Sequence, residues 1–169
     1  MNDPSLQFVE AATAADLETV RRIAAVIWPE TFKSILSKEQ IIYMMKMMYA
    51  PEVMEEEMSK GYHFRLLHVD GAPVGYTSWS AYHIPGTAKL HKLYLLSQFH
   101  SKGIGARMIA DVADEARQRG FKTLRLNVNK HNSRAMRSYL RNGFSQVESV
   151  KIDIGNGFFM DDFVMEKPL

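Results

Sequence analysis

The stretch of this chain best suited to chemistry runs Leu93-Tyr-Leu-Leu-Ser-Gln-Phe-His-Ser-Lys-Gly103-Ile-Gly105-Ala-Arg-Met-Ile109. An apolar segment enters a polar loop with two glycines, and the loop opens into a helical pattern. A helix start leaves backbone N–H groups without intrahelical partners, and the macrodipole adds positive potential there. Glycines let that backbone approach a ligand closely and adopt positive φ. Together these features suit a phosphate or pyrophosphate. Two other phosphate loops fit less well. A Walker loop ends in Gly-Lys-Ser/Thr, whereas Gly105 is followed by Ala106-Arg107; a dinucleotide fingerprint needs a third small residue where Met108 stands. The plain alternative is a glycine turn ahead of a helix.

A second stretch with chemical potential is Leu126-Asn-Val-Asn-Lys-His-Asn132-Ser-Arg-Ala135-Met-Arg-Ser-Tyr139-Leu-Arg-Asn-Gly143-Phe144. Asn132 suits a helix N-cap. Tyr139, beside Met136 and Leu140, reads on its own as an aromatic on the inner face of a short helix. His91, within Leu90-His91-Lys92-Leu93, is a strand histidine that can accept a proton near neutral pH. The six histidines (63, 68, 83, 91, 100, 131) contain no His-Xaa3-His pair, and there is no cysteine. We therefore expect no metal, no disulfide framework and no thiolate nucleophile.

The elements that must position these residues follow from the pattern. Residues 6–12 read as a first strand. Thr13 opens a capping-box variant with Asp16, Leu17, Val20, Ala24 and Ile27 follow at helical spacing, and Pro29 is expected to stop the run. A second helix begins near Ser37 and carries Met44, Met45, Met47 and Met48, either core, subunit interface or the adaptable wall of a site. Pro51 opens a third short helix whose Glu52–Glu57 run reads as a solvated face, and Gly61 ends it. Strands are expected over residues 62–69, 74–82 and 88–96, the first two joined by a tight Asp70-Gly71 turn. An amphipathic helix with Ile104, Met108, Ile109, Val112 and Ala116 inward ends at Gly120. A strand (122–128), the helix capped at Asn132 or Ser133, and two closing strands (144–152, 158–166) around Gly155-Asn156-Gly157 complete the chain. This order predicts one α+β domain over residues 1–169, with a mainly antiparallel sheet.

Composition narrows the function. With 169 residues, 46% hydrophobic, the chain is long enough to bury a core. A net charge of +2 from 21 basic and 19 acidic residues argues against nucleic acid or an anionic membrane as partner. Residues 1–10 lack the basic-then-apolar order of a signal peptide, and Ile41–Met48 is too short and too charged to span a bilayer. A cytoplasmic location is the expectation.

On these residues the chain resembles the GNAT N-acetyltransferase superfamily. Residues 93–109 look like its motif A, Gln/Arg-Xaa-Xaa-Gly-Xaa-Gly/Ala, which grips the coenzyme A pyrophosphate; the matching positions are His100, Gly103, Ile104 and Gly105, with His100 departing from the usual Gln or Arg. The second stretch resembles the later Asn-Xaa-Xaa-Ala-Xaa-Xaa-Xaa-Tyr motif followed by Gly-Phe. Together with the strand order, the likeness covers most of residues 6–166. It implies a three-layer α/β/α fold with a twisted sheet of six to seven strands, acetyl-coenzyme A as cosubstrate and a homodimer. It further implies cofactor contacts from Leu93, Leu95, His100, Ser101, Lys102, Gly103, Ile104, Gly105, Ala106, Asn132 and Tyr139. Tyr139 becomes the candidate acid beside the thioester sulfur, and the Leu95 N–H the candidate oxyanion donor, where the third strand of the hairpin run splays from the next. Many small-amine members carry a base as Glu in that strand, and here His91 matches best.

The closing Asp-Asp-Phe-Val-Met-Glu-Lys-Pro-Leu and the Lys-Leu-Tyr-Leu-Leu strand look like the bacterial PaiA-like polyamine acetyltransferases. Asp153, Asp161 and Asp162 would then suit a small-molecule amine that is polycationic. Two rival readings are a protein lysine or N-terminal acetyltransferase and a non-catalytic acyl-coenzyme A sensor.

Overall fold

The computed structural model describes residues 3–169; Met1 and Asn2, the start of the expected 1–169 domain, lie outside the described residues. The elements in chain order are β1 (Leu6–Glu10), α1 (Ala14–Phe32), α2 (Lys38–Tyr49), α3 (Pro51–Ser59), β2 (His63–Val69), β3 (Ala72–Ala81), β4 (Thr87–Leu95), α4 (Ile104–Gln118), β5 (Thr123–Asn129), α5 (Ser133–Arg141), β6 (Ser145–Gly155) and β7 (Phe158–Pro168). The strands form one mixed seven-stranded sheet, ordered β1-β2-β3-β4-β5-β7-β6. Among the described residues only β4 and β5 run parallel; every other neighbouring pair is antiparallel.

Each face of the sheet is covered because each carries its own apolar set. Leu17, Val20, Ala24, Ile27 and Trp28 of α1 bury with Ile41 and Met44 of α2, Met54 of α3, and Phe64, Leu66 and Tyr76 of the sheet. Ile109, Val112, Ala113 and Ala116 of α4 bury on the other face against Trp79, Ala88, Leu90, Leu124 and Leu126, with Met136 and Tyr139 of α5 alongside. The result is the expected three-layer arrangement, five helices about a mixed sheet.

Local chemistry sets the boundaries. Thr13 caps α1 with a full capping box through Asp16, Ser37 caps α2, and Asn132 caps α5. Asp70 and Gly71 both take positive φ (49° and 84°), the mirror-image turn that matches strand twist in a two-residue hairpin. Pro29 does not stop α1, which runs one turn further. Its ring cannot donate, yet its carbonyl still accepts from the Lys33 N–H at 3.0 Å. Burial of Trp28 and Phe32, with rings 4.6 Å apart, outweighs the lost bond. Met44 of α2 is buried in the core beneath that face, and Met45, Met47 and Met48 pack against it partly buried.

Two features of the sheet prepare the site. The β4–β5 ladder runs only from Thr87–Thr123 to Leu90–Leu126, and beyond it the two strands part. Within β4 the pairing to β3 passes from Lys92–Ser78 to Leu90–Trp79. His91 is the extra residue of this bulge, a device that re-aims side chains and bends a strand. The tip of the β6–β7 hairpin is tied to α2. The Tyr43 hydroxyl donates to the Ile154 carbonyl at 2.5 Å, and the Gln40 amide donates to the Phe159 carbonyl at 2.7 Å.

Candidate active site

Where β4 and β5 part, a cleft of about 880 Å³ opens between them. It is lined by residues from α1 (Ile27, Thr31, Phe32), β4 (Leu90 to Leu95), the β4–α4 loop (His100, Ser101, Gly103), the first turn of α4 (Gly105, Ala106), β5 (Asn127, Asn129) and α5 (Asn132, Tyr139). Most of the residues singled out in the sequence therefore share one cavity.

Backbone parity decides what β4 offers to the gap. The Leu96 N–H bonds to the Val74 carbonyl at 2.9 Å, continuing the register in which Leu95 faces Gly75. In an antiparallel ladder, hydrogen-bonded and non-bonded pairs alternate. Leu93 and Leu95 are thus non-bonded positions on the β3 side, and their amides turn toward the space that β5 has vacated. The Leu95 carbonyl is already engaged, because His100 Nε2 donates to it at 2.8 Å. His100 thereby pins the loop to the end of β4 rather than reaching outward, and burial holds its pKa below the usual value.

The loop itself is shaped for an anion. Ser101 and Gly103 sit at positive φ (60° and 75°) and fold the chain back over the start of α4. That helix start has no side-chain cap, unlike α1, α2 and α5, so its first-turn amides remain available. Gly105 is the more telling glycine. It has no positive φ, and a Cβ built there would meet no atom within 4 Å. Nothing inside the chain requires glycine at this position, whereas a phosphate laid across the amides would. Gly105→Ala is accordingly expected to fold with an unchanged Tm, with its loss confined to anion affinity; a Tm drop of several degrees would assign the glycine to the fold instead. Ile104 is buried beneath the loop in a core with Met108 and Leu95. Lys102 turns its ammonium over the Phe99 ring at 5.8 Å and does not line the cleft.

Tyr139 packs edge-on against Phe144, ring centroids 5.5 Å apart, and reaches the cleft from α5. Burial pushes its phenol up to about 12, so it remains a proton donor through the whole working range. Asn132 serves as the α5 cap, accepting from the Ala135 N–H at 3.3 Å, and also lines the cleft.

His91 is differently placed than a base would want. Its Nε2 lies 2.8 Å from Ser80 Oγ, and its ring stacks on Tyr62 at 4.4 Å. Burial, with Lys89 and Lys92 adding repulsion, holds its pKa at about 3. The imidazole is neutral and holds a proton poorly.

The three aspartates separate. Asp153 is spent on the hairpin turn, accepting from the Gly155 N–H at 2.8 Å. Asp161 pairs with Lys130 at 2.7 Å. Only Asp162 is buried, 4% exposed, on β7 opposite Asn129 of β5.

Two features escaped the sequence reading. Glu57 does not belong to a solvated face: it turns inward and pairs with Lys92 Nζ at 3.1 Å. A lysine in an alternating strand gives no sign of such burial. The second is a row of arginines on α5, Arg134, Arg137 and Arg141, which also line the cleft. Their i, i+3, i+7 spacing sets them on one face of the helix.

Comparison with known proteins agrees with this geometry. The family model of the acetyltransferase (GNAT) domain matches residues 32–160. A spermidine N(1)-acetyltransferase of Thermoplasma acidophilum is 27% identical over 157 residues, spanning 90% of this chain and 91% of that protein. The crystal structure of the PaiA N-acetyltransferase of Thermoplasma acidophilum in complex with coenzyme A superposes with a TM-score of 0.80 at 25% identity, covering 98% of this chain and 99% of that one. A GCN5-related N-acetyltransferase from Rhodopseudomonas palustris has the same fold, with a TM-score of 0.80 at 18% identity over 100% of this chain and 98% of its own.

Proposed function

The chain belongs to the acetyltransferase (GNAT) family and is an acetyl-coenzyme A-dependent N-acetyltransferase; from that premise we propose that its acceptor is the primary amine of a small polycationic molecule, a polyamine, and that Tyr139 is the general acid. The observation that carries the reading is the parted β4–β5 pair, which brings free amides of β4, the uncapped start of α4 and the Tyr139 phenol onto one cleft.

The residues present fit the cosubstrate. The amides of Gly103 to Ala106, with Ser101 beside them, would take the pyrophosphate; the open edges of Leu93 and Leu95 would take the pantetheine amides; Asn132 would line the arm. When bound, the cosubstrate supplies an acetyl group on a thiol leaving group, which departs more readily when protonated.

The chain then has three tasks. The Leu95 N–H, turned into the opening, would donate to the carbonyl oxygen as negative charge grows there, a donor that needs no reorganisation. Tyr139 gives its proton to the leaving sulfur and recovers one from the nitrogen as the new amide forms. The remaining proton of the acceptor ammonium must leave before attack, since a primary amine has pKa about 10.4.

The acceptor enters from the α1–α3 face, where Thr31, Phe32 and Tyr94 border the cleft. Support for a polyamine comes from the spermidine-acetylating relative and from Asp162, a carboxylate at that face. Asp153 and Asp161 are occupied elsewhere, so of the three aspartates this proposal keeps Asp162 as the acceptor's contact. His91 remains beside the acceptor as a neutral neighbour.

The test is thiol release from acetyl-coenzyme A with a panel of polyamines, amino acids, aminoglycosides and lysine peptides. Turnover greatest with polyamines supports the proposal. Turnover confined to lysine peptides would replace it with protein acetylation. Tight cofactor binding without turnover on any amine would leave a binding protein.

A further inference from the structure

We propose that Asp162 is the general base of the reaction, taking the proton from the acceptor's ammonium before attack, a role that deepens the N-acetyltransferase reading and rests on it. The observation behind this is a buried carboxylate without a counter-ion. Glu57, Asp111, Glu115 and Glu166 also turn toward the protein, and each has a basic partner within 4 Å: Lys92, Arg65, Arg65 with Arg119, and Arg125. Asp162 is 4% exposed and makes no ion pair among the described residues. An uncompensated buried charge is costly, and such groups persist where the chemistry uses them.

Its position suits that use. In the β5–β7 ladder Asp162 lies directly opposite Asn129 and one step diagonal to Asn127, and both asparagines line the cleft. Phe163 and Met165, its alternate neighbours on β7, pack under α4 and α5, so Asp162 faces the opposite, acceptor-side layer. Tyr94, which lines the cleft, lies within electrostatic reach of both Tyr139 and Asp162. Tyr139 thus lines the cleft from α5, and Asp162 sits on the strand paired with the two β5 asparagines that line it.

The charged groups about Asp162 are few. Lys89 from β4 and Lys130 beyond β5 draw its pKa down together with the Asn127 amide, Asp161 pushes it up, and burial outweighs them all, setting it at about 6. A carboxylate tuned to that value is ionised at neutral pH yet basic enough to hold a proton transiently. His91, held at about 3, cannot do this.

The step is a simple transfer. The acceptor's N–H bond breaks, the electron pair stays on nitrogen, and the proton goes to a carboxyl oxygen of Asp162, then to solvent after product leaves. The charge of the ammonium disappears with that of the carboxylate, so the nucleophile forms in a locally neutral site.

The experiment compares wild type, Asp162→Asn and Asp162→Glu with two acceptors, a polyamine and an arylamine that is already unprotonated at pH 7. Acetyl-coenzyme A affinity and Tm are measured alongside. We expect Asp162→Asn to fold, to bind the cofactor normally and to lose about 10²-fold in kcat/KM for the polyamine. Its arylamine rate should stay within about threefold, and the acidic limb near pH 6 should vanish from its polyamine profile. Asp162→Glu should restore part of the rate with a displaced limb. Equal losses on both acceptors, or a rise in KM for the polyamine at unchanged kcat, would overturn the base role and leave Asp162 as packing or as an ammonium anchor. A wild type inactive on every amine would remove the transferase reading itself, and this proposal with it.

Discussion

Tyr139→Phe is expected to lower kcat by about 10²–10⁴-fold, the range for removing a positioned general acid, with acetyl-coenzyme A affinity nearly unchanged. The substitution removes one oxygen and nothing else. The ring keeps its edge contact with Phe144 at 5.5 Å and its place beside Met136. Within the described residues the hydroxyl makes no hydrogen bond, so no partner is left unsatisfied and Tm should hold. Burial keeps the phenol protonated to about 12, so ionisation of Tyr139 adds no descending limb to the rate profile in the usual alkaline range. Single-turnover thiol release separates this from effects on binding. If kcat falls by less than about threefold, the leaving thiolate needs no proton from Tyr139, and its aromatic packing is the whole of its role.

How much of this was written in the sequence depends on whether a residue's role is local. The glycines of 100–106, the Asn132 cap, the Asp70-Gly71 turn and the alternation of apolar faces are short-range features, and each appears where its pattern placed it. Pro29 misled because a single lost hydrogen bond is a local cost, while the burial of Trp28 and Phe32 is a tertiary gain. The division among Asp153, Asp161 and Asp162 could not be read either. Adjacent residues on a strand face opposite sides, but which side is closed depends on β5 and on helices far away in the chain. The bulge at His91 is likewise invisible in the sequence, since it is a property of two strands and not of one.

The Lys92–Glu57 pair is the clearest case of such long-range dependence. Lys92 is 3% exposed, with its ammonium 3.1 Å from a Glu57 oxygen and 5.4 Å from the ring centroids of both Tyr49 and Phe64. Burial lowers the Lys92 pKa and Glu57 opposes that shift. Removing Glu57 alone leaves a buried cation without a counter-charge, so Glu57→Ala is expected to cost about 3–5 kcal/mol, the usual loss when one partner of such a pair is deleted. The sign of the pH dependence follows. Without Glu57 the folded-state pKa of Lys92 falls further below its ordinary value near 10.5, so between those two values the unfolded chain binds more protons. The stability of the variant should therefore rise with pH through that alkaline window, and its deficit against wild type should narrow there. Replacing both residues by apolar ones, Glu57→Leu with Lys92→Met, should recover most of the loss, because no charge then remains to be buried. Lys92 also lines the cleft, so in Glu57→Ala an uncompensated positive charge faces a cationic acceptor, and KM for a polyamine should rise while KM for an uncharged amine does not. Urea unfolding at neutral and alkaline pH, with the two acceptors assayed in parallel, checks both consequences. A loss below about 1 kcal/mol with no change in acceptor preference would mean that solvent already screens this pair as it screens one on the surface.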